Sequence, residues 1–408
     1  MVRKLQLGLD EALKMTLDRI DALAAIQVDL LDGLNHALAE DIIANVDSPS
    51  IDASMKDGYA VISTEIQSAT RERPVRLKLL DCLSAGESRA VQVRPQSAVR
   101  VLTGARLPAG ASAVVAEEFT AAENGHIIVH KHAEPGRNIL PRGSDVAIGE
   151  VVGAQGTLVT PGLAGILAAA GHSHISVVRR PTVAIIATGD EVVAPGRPLP
   201  EGKLYASNMT TLGGWCRQYG MHILLTVVKD DFEAIHDALA DQAQRADAVV
   251  TSGGAWTGDR DLVAKVLEKL GWQQVFHRIR IGPGKAVGFG LLQHKPLFIL
   301  PGGPPSNLLG FLQIALPGLL KLAGHRRTGL PELKVRLADE LTGRNLDWTQ
   351  FIFGCLKPED DLPLFQSLKA KSRLRSMAEA QAVVAIPEGR TRLPAGAVVS
   401  AQRLDFEG

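Results

Sequence analysis

The stretch between residues 181 and 325 constrains the fold most, because near-continuous apolar runs alternate there with helical patterns. The apolar runs are TVAIIAT (182–188), HILLTVV (222–228), DAVVTS (247–252) and PLFILPGG (296–303). Apolar residues recur at helical spacing in the segments 208–219, 232–245, 260–270 and 306–323. Strands that are apolar throughout are buried on both faces, so this pattern predicts a doubly wound α/β domain with a parallel sheet.

The regions on either side predict smaller units. The chain starts with a helical pattern of leucines and isoleucines, and short β-like runs follow at 75–80, 97–104 and 126–131. GILAAAG is typical of a short helix that ends at Gly171, and four strand-like segments follow residue 327. We predict an α/β multidomain protein with four units: an N-terminal helical and linker domain (1–42 and 144–178), a β-rich second domain (43–143), the α/β domain (179–326) and a small C-terminal β domain (327–408).

Composition excludes several classes of protein. The 44 basic and 44 acidic residues balance, which argues against a chain that coats nucleic acid. The longest apolar stretches are shorter than the roughly 20 residues needed to span a bilayer, and the start lacks a signal-peptide core. Three widely separated cysteines form neither a zinc motif nor a disulfide framework. We therefore expect a cytoplasmic protein with no membrane or nucleic-acid partner.

Glycine-containing loops follow the predicted strands at one edge of the sheet. They read TGDE (188–191), SGG (252–254) and PGGP (301–304). Ligands of open α/β sheets bind beyond the carboxyl ends of the strands, and glycine allows backbone N–H groups to approach them. The loops therefore predict a site for phosphate or another oxyanion, although tight turns alone would also use these glycines.

Acidic residues share this edge. They are Asp190, Glu191, Asp230, Asp231, Asp259 and Asp261. Carboxylates repel a phosphate unless a divalent cation lies between them, and Mg²⁺ is normally held by one or two carboxylates together with phosphate oxygens. Helix capping is the alternative role, particularly for Asp231 and Asp259. Lys285 lies in IGPGKAVGFG, where it either faces an anion or is solvated.

Four cations near the C-terminus alternate at a spacing of two: Lys369, Lys371, Arg373 and Arg375. In a strand all four would face the same way. They would then form either an anion-binding rim or a charged edge strand that resists aggregation. The sequence contains no GxSxG or Walker motif and no histidine pair at metal-ligand spacing.

Taken together and in order, these segments resemble a known family. The motifs are DASMKDGYAV (52–61), RVLTGARLPAGASAVVAEE (100–118), PGRNILPRGSD (135–145), ATGDE (187–191), SGGAWTGDRD (252–261), IGPGKAVGFG (281–290) and LPGGPPSN (300–307). The set is similar to the molybdopterin molybdenumtransferases, the MoeA-type molybdenum insertases that also include the gephyrin E domain. The resemblance runs from about residue 5 to residue 405.

The resemblance implies an activity and an assembly. Members of the family insert molybdate into adenylylated molybdopterin and release AMP in a step that depends on a divalent metal, here expected to be Mg²⁺. They are usually homodimers. Their site lies between the α/β domain of one subunit and the β-rich second domain of the other.

Carried over by motif, the resemblance also implies roles for individual residues. The expected catalytic residues are Asp57, Asp145, Glu191, Asp261 and Lys285. The expected metal ligands are Asp190, Glu191 and Asp261. The expected ligand-binding residues are Thr103, Thr188, Gly189, Ser252, Gly253, Gly254, Pro301, Gly302 and Ser306.

The sequence departs from the family pattern in its anion-binding loops. The usual KPGKP is GPGKA at 282–286, the usual PGNP is PGGP at 301–304, and the usual arginine-rich run is Leu140-Pro141-Arg142. Met55-Lys56 and Trp256 are further departures. The losses in the three loops leave two alternatives open. One is a molybdopterin-binding paralogue that carries the pterin or binds a partner without insertion, and the other is a pyrophosphatase- or amidase-like enzyme acting on another nucleotide.

Overall fold

In a computed structural model, the structure describes residues 7–253, 262–368 and 372–405. The helices are α1 (Leu9–Leu17), α2 (Pro161–Ala169), α3 (Ser207–Gln218), α4 (Phe232–Arg245), α5 (Leu262–Lys269), α6 (Pro304–Gly310), α7 (Leu316–Leu322) and α8 (Arg373–Glu379). A π-helical turn, Phe311–Ala315, joins α6 to α7, so the helix predicted at 306–323 is nearly continuous. Within the described ranges, every helix is too short or too polar to cross a bilayer.

The first 180 residues are rich in short strands, as predicted. These are β1 (Ala25–Asp29), β2 (Ile42–Ile43), β3 (Ala53–Ser54), β4 (Gly58–Val61), β5 (Val75–Leu83), β6 (Ser97–Val101), β7 (Ala113–Ala116), β8 (Thr120–Glu123), β9 (His126–Val129), β10 (Ile139–Leu140), β11 (Val151–Gly153) and β12 (His174–Val178). Six of them form one sheet in the order β7-β4-β6-β5-β9-β8. The three β-like runs of this region coincide with β5, β6 and β9.

Helix α2 has the ends that its sequence predicts. The Thr160 hydroxyl accepts a hydrogen bond from the Leu163 N–H at 3.2 Å, and Pro161 occupies the first turn. Gly171 follows the helix with φ +90°, a conformation that side chains disfavour. The short helix predicted to end at this glycine is therefore confirmed.

The α/β domain contains the strands β13 (Thr182–Thr188), β14 (Val192–Val193), β15 (Leu204–Tyr205), β16 (His222–Val228), β17 (Ala248–Ser252), β18 (Gln273–His277), β19 (Ile281–Gly282), β20 (Gly288–Leu292) and β21 (Lys295–Leu300). Its sheet has the order β16-β13-β17-β21-β20-β18. The first four strands are parallel, as predicted. The last two are antiparallel additions, so the expectation of a wholly parallel sheet is wrong.

The turn between β20 and β21 explains this difference. Gln293 and His294 form a two-residue connection in which both φ angles are positive, 51° and 64°. Such hairpin turns normally carry Asn-Gly or Asp-Gly, which is the signal that sequence reading uses. Because that signal is missing, the sequence does not indicate strand β20, which precedes PLFILPGG.

Helices cover both faces of the sheet. Val183 and Ile185 of β13 share an apolar cluster with residues of α3, α6 and α7. Ala184 and Ile186 of the same strand share a second cluster with residues of α4 and α5. Alternate residues of one strand therefore pack into opposite layers, which confirms the doubly wound arrangement. Ala12 of α1 belongs to the first cluster, so the N-terminal helix packs on the α/β domain.

The C-terminal domain is a small barrel. Its strands are β22 (Glu332–Leu337), β23 (Leu341–Thr342), β24 (Thr349–Lys357), β25 (Leu364–Ser367), β26 (Ala382–Ile386), β27 (Arg392–Leu393) and β28 (Val398–Arg403). The ring β24-β25-β22-β28-β26 closes because β26 also pairs with β24. Strand β19 of the α/β domain pairs with the start of β24 and joins the two domains.

One expectation for this domain is wrong. Arg373 and Arg375 lie in helix α8 rather than in a strand, and the Ser372 hydroxyl accepts a hydrogen bond from the Arg375 N–H at 3.4 Å to cap it. Residues two apart in a helix point about 200° apart, so these two arginines cannot share a face as they would in a strand. Lys369 and Lys371 lie outside the described residues.

The partly buried imidazole of His325 predicts a pH dependence of stability. Burial lowers its pKa from 6.5 to about 4, so the folded protein binds fewer protons than the unfolded chain between these values. Stability should therefore be complete above pH 6.5 and fall as the pH drops towards 4, with this group costing about 2 kcal/mol at pH 4.5. His325→Phe, which retains a ring facing Tyr219, should reduce the fall.

The measurement is the free energy of unfolding by urea at pH 7.0, 5.5 and 4.5. The exposed His222 provides the control His222→Phe. His36 and His277 also have lowered pKa values, so part of the pH dependence should remain in both variants. An unchanged pH dependence in His325→Phe would contradict the prediction.

Candidate active site

A cavity of about 1300 Å³ lies at the carboxyl ends of the parallel strands. The loops after β13, β16, β17 and β21 reach it, as open α/β sheets predict. Its polar lining includes Thr188, Glu191, Tyr205, Ser207, Asn208, Asp230, Ser252, Ser372 and Arg373, together with Gly253 and Gly302. The structure therefore brings together the predicted residues Thr188, Glu191, Ser252, Gly253 and Gly302.

Two asparagine side chains hold the loops of this cavity in place. Asn307 Nδ2 donates to Ser252 Oγ at 3.0 Å and to the Pro301 carbonyl at 2.9 Å. Asn208 Nδ2 donates to the Gly302 carbonyl at 2.8 Å and lies 3.5 Å from Ser252 Oγ. Ser252 Oγ accepts hydrogen bonds from these amides, so the Ser252 hydroxyl can still donate one hydrogen bond of its own. The loops after β17 and β21 thus form one hydrogen-bonded unit.

Sequence reading missed both asparagines. Asn307 lies in the recognised LPGGPPSN motif but received no role, and Asn208 lies in the first turn of α3. A polar residue in the first turn of a helix that follows a strand-end loop is the available signal. For Asn307 this sequence signal is weak. The burial of the side chain, which is 1% exposed, indicates its role, and the sequence does not show that burial.

The backbone N–H groups of Gly189 and Gly253 donate to carbonyls of neighbouring strands. The Gly253 N–H donates to Leu300 O at 3.1 Å, and the Gly189 N–H donates to Val228 O at 3.3 Å. Gly253 has φ +108°, and a Cβ there would lie 2.6 Å from the Thr188 carbonyl oxygen. Both N–H groups are thus paired within the protein in this structure, and their contact with a ligand stays a prediction. Glycine is needed at position 253 because the two loops meet there without room for a side chain.

The Thr188 hydroxyl is the buried polar atom that the cavity wall leaves unpaired. Thr188 is 4% exposed, and its Oγ1 has no hydrogen-bond partner among the described residues. A buried hydroxyl without a partner costs about 1–3 kcal/mol, so a polar group of a ligand would be stabilised beside it.

Three carboxylates lie together beside the cavity. Glu191 and Asp230 line it, and the Asp230 N–H donates to Asp190 Oδ1 at 3.2 Å. Partial burial, with the negative charges of Glu191 and Asp190, raises the pKa of Asp230. Lys203 Nζ donates to the Asp190 carbonyl at 2.7 Å. Oxygen donors are the ligands that a hard divalent cation prefers, but the carboxylate oxygens of Asp190, Glu191 and Asp230 do not all lie within 4.8 Å of one another, so they would have to move to hold one cation together. Asp259, Asp261 and Gly254 lie outside the described residues.

The loop that carries Lys285 lies next to Ser306, and neither residue is part of the described lining of the cavity. A Cβ on Gly284 would lie 3.2 Å from the Ser306 carbonyl, so the loop that carries Lys285 rests on the first turn of α6. The Lys285 ammonium lies 5.6 Å from the centre of the Trp348 ring. This cation–π contact directs the lysine towards the C-terminal domain.

Asp57 and Thr103 of the second domain lie away from the cavity, as does Asp145 of the segment that follows it. The Thr103 N–H and hydroxyl donate to Asp57 Oδ1 at 2.7 and 2.8 Å, and these bonds lower the pKa of Asp57. Asp145 is exposed, and its N–H donates to the Ser48 carbonyl. Among the described residues that line the cavity, none comes from the range 43–143.

The contact between the loops of Thr188 and Gly253 predicts that Gly253→Ala destabilises the α/β domain. An alanine would require both a left-handed conformation and a shift of the Thr188 backbone. A cost of about 1–3 kcal/mol should lower the thermal midpoint by at least about 3 °C, measured by far-UV circular dichroism. Gly302→Ala is the control, since the nearest atom would lie 3.9 Å from the new Cβ. Equal midpoints for the two variants would contradict this explanation.

Two sequence families match the chain. Residues 7–171 match the MoeA N-terminal region (domain I and II), and residues 184–321 match the probable molybdopterin binding domain. These ranges cover most of the two N-terminal units and of the α/β domain.

Individual proteins match over longer ranges. The molybdopterin molybdenumtransferase of Bacillus subtilis (strain 168) is 36% identical over 289 residues, covering 70% of this chain and 67% of that protein. Molybdopterin molybdenumtransferase 2 of Mycobacterium tuberculosis (strain CDC 1551 / Oshkosh) is 30% identical over 395 residues, covering 95% and 97%.

A solved structure shows the same fold over nearly the whole chain. The molybdopterin biosynthesis moea protein from Pyrococcus horikosii superposes with a TM-score of 0.81 at 32% identity and covers 98% of this chain and 99% of that chain. With the sequence matches, this similarity confirms the resemblance that the motifs indicated: the chain belongs to the MoeA-type molybdopterin molybdenumtransferases, a family of transferases in molybdenum cofactor biosynthesis.

Proposed function

We propose that the protein inserts molybdate into adenylylated molybdopterin and releases AMP with the help of Mg²⁺. One observation carries this proposal in a chain of this family. The carboxylate loop after β13 and the Ser252–Gly253 loop after β17 converge on one cavity of about 1300 Å³. That volume accommodates a large ligand, since sites for small molecules commonly measure about 300–1000 Å³.

Some residues of the cavity would contact the ligand, and others hold the loops that carry those residues. The hydroxyls of Thr188 and Ser252 offer hydrogen bonds to the polar groups of the pterin nucleotide. Asn208 and Asn307 fix the loops of Ser252 and Gly302 by hydrogen bonds, so these loops have their binding conformation before the ligand arrives.

Asp190, Glu191 and Asp261 would hold Mg²⁺. The neighbouring carboxylates Glu191 and Asp230 support this donor set, because their charges are the repulsive arrangement that a divalent cation stabilises. When bound, the cation neutralises phosphate charge and assists cleavage of the phosphoanhydride.

Lys285 and Ser306 would contact an oxyanion next to the cavity. The loop of Lys285 rests on α6 beside Ser306, which supports this role. Pro301 and Gly189 keep structural roles in the adjoining loops, through the Asn307–Pro301 and Gly189–Val228 hydrogen bonds.

We also propose a cytoplasmic homodimer in which the second domain of one subunit completes the site of the other. Asp57 and Asp145 are exposed, and the described lining of the cavity contains no residue of the range 43–178. Asp57, Thr103 and Asp145 would then act on a ligand held by the partner.

Release of AMP from adenylylated molybdopterin is the reaction to measure, with Mg²⁺ and with or without molybdate. We expect release to depend on molybdate and to stop when the metal is removed by exhaustive chelation, with recovery after Mg²⁺ is restored. Binding without AMP release would identify a molybdopterin-binding paralogue. Release from another nucleotide without molybdate would favour a pyrophosphatase-like enzyme, and activity unaffected by chelation would exclude the metal.

Single substitutions test the proposed residues. Asp261→Ala and Lys285→Ala should each lower kcat/KM for AMP release by about tenfold to a hundredfold, because each removes a charge-assisted contact. Asp237→Ala on α4 and Lys334→Ala on β22 remove exposed charges of the same sign away from the cavity and serve as controls. Full activity in both test variants would exclude this assignment.

A further inference from the structure

The direction of the hydrogen bonds around Ser252 is fixed by two backbone carbonyls. The Asn307 amide atom that lies 3.0 Å from Ser252 Oγ also lies 2.9 Å from the Pro301 carbonyl. The corresponding atom of Asn208 lies 3.5 Å from Ser252 Oγ and 2.8 Å from the Gly302 carbonyl. A carbonyl oxygen can only accept a hydrogen bond, so the amide atom has to be the nitrogen in both cases.

The Ser252 hydroxyl is therefore an acceptor towards both asparagines. Its own hydrogen has to point elsewhere, because neither amide nitrogen can accept it. Among the described residues, no group accepts this hydrogen, and Ser252 lies in the wall of the cavity. The arrangement leaves the hydroxyl as a hydrogen-bond donor for a ligand.

Asn307 contributes more to this arrangement than Asn208. Asn307 is 1% exposed, whereas Asn208 is partly exposed and its amide lies at the outer limit of hydrogen-bond distance from Ser252. The Asn307 N–H donates to the Gly303 carbonyl at 2.8 Å, which fixes the backbone that carries the amide. The family's usual PGNP reads PGGP at 301–304, so helix α6 supplies the side-chain amide that this loop lacks.

We propose that Asn307 is a positioning residue that makes Ser252 an obligatory hydrogen-bond donor to the ligand. The inference rests on the proposed function for the identity of that ligand, adenylylated molybdopterin. A free hydroxyl rotates and either donates or accepts, whereas a hydroxyl held by an amide donor selects an acceptor such as a carbonyl or phosphoryl oxygen. Asn307 is not part of the described lining of the cavity, so it acts on the ligand through Ser252.

A double-mutant cycle tests this coupling. The measurement is equilibrium binding of adenylylated molybdopterin to the full-length protein, without molybdate or divalent metal so that no AMP is released. Asn307→Ala and Ser252→Ala should each weaken binding by about threefold to tenfold, which corresponds to one neutral hydrogen bond. The double variant should bind no more weakly than Ser252→Ala, because the amide has no effect without the hydroxyl.

Gln313→Ala is the matched control for a loss of stability. Gln313 lies on the π-helical turn after α6, is 6% exposed, and donates to Gln402 Oε1 at 2.7 Å outside the cavity lining. Like Asn307→Ala, this substitution removes a buried amide and should lower the thermal midpoint. The dissociation constant of adenylylated molybdopterin should nevertheless stay unchanged.

Several results would overturn the inference. They are unchanged binding in Asn307→Ala or in Ser252→Ala, additive losses in the double variant, an equal loss in Gln313→Ala, and failure of the unaltered protein to bind the ligand. AMP release by the unaltered protein together with additive losses would retain the proposed function and exclude the positioning role. The proposed function fails separately, if the cycle shows the coupling but no AMP is released with molybdate and Mg²⁺.

Discussion

The side-chain amide of Asn307 holds together the two loops on which the cavity depends. It is almost fully buried and donates both to Ser252 Oγ and to the Pro301 carbonyl. These bonds connect the end of β17 with the end of β21, which the sheet alone aligns only as far as Ser252 and Leu300. A buried acceptor that loses its donor costs about 1–3 kcal/mol, so the amide stabilises the loop geometry at the point where a ligand would bind.

The same geometry explains why a second domain takes part in the site. The described strand-end loops bring carboxylates to the cavity, whereas the basic side chain of its lining, Arg373, comes from helix α8. Strand β19 pairs with β24, and the Lys285 loop, which follows β19 directly, contacts Trp348 just before β24. The position of the barrel therefore determines both where Lys285 points and where Arg373 lies.

Periodicity predicted the parts of the fold that burial controls. Strands β13 and β16 have the predicted limits, and α4 does as well, because continuous apolar runs and a clear helical face identify buried elements. The β20–β21 hairpin was missed because its turn uses Gln293 and His294. The basic residues that precede and begin helix α8 suggest a strand, because alternation of charges over a few residues resembles a strand pattern, yet Arg373 and Arg375 lie in a helix.

The candidate site was predictable in part for a related reason. Residues directly after strands, such as Glu191 and Ser252, must lie at one sheet edge, so their positions follow from the fold class alone. Asn208, Asn307 and Arg373 approach the cavity from helices, and helix packing decides their orientation rather than local sequence. Asp57 shows what the fold class does not predict. Thr103 donates two hydrogen bonds to Asp57 Oδ1 and leaves Oδ2 for another partner. The described lining of the cavity nevertheless contains no residue of the domain that carries Asp57. A carboxylate held in this way would act in catalysis if a second copy brought it to the ligand, and for that reason the homodimer belongs to the proposed mechanism.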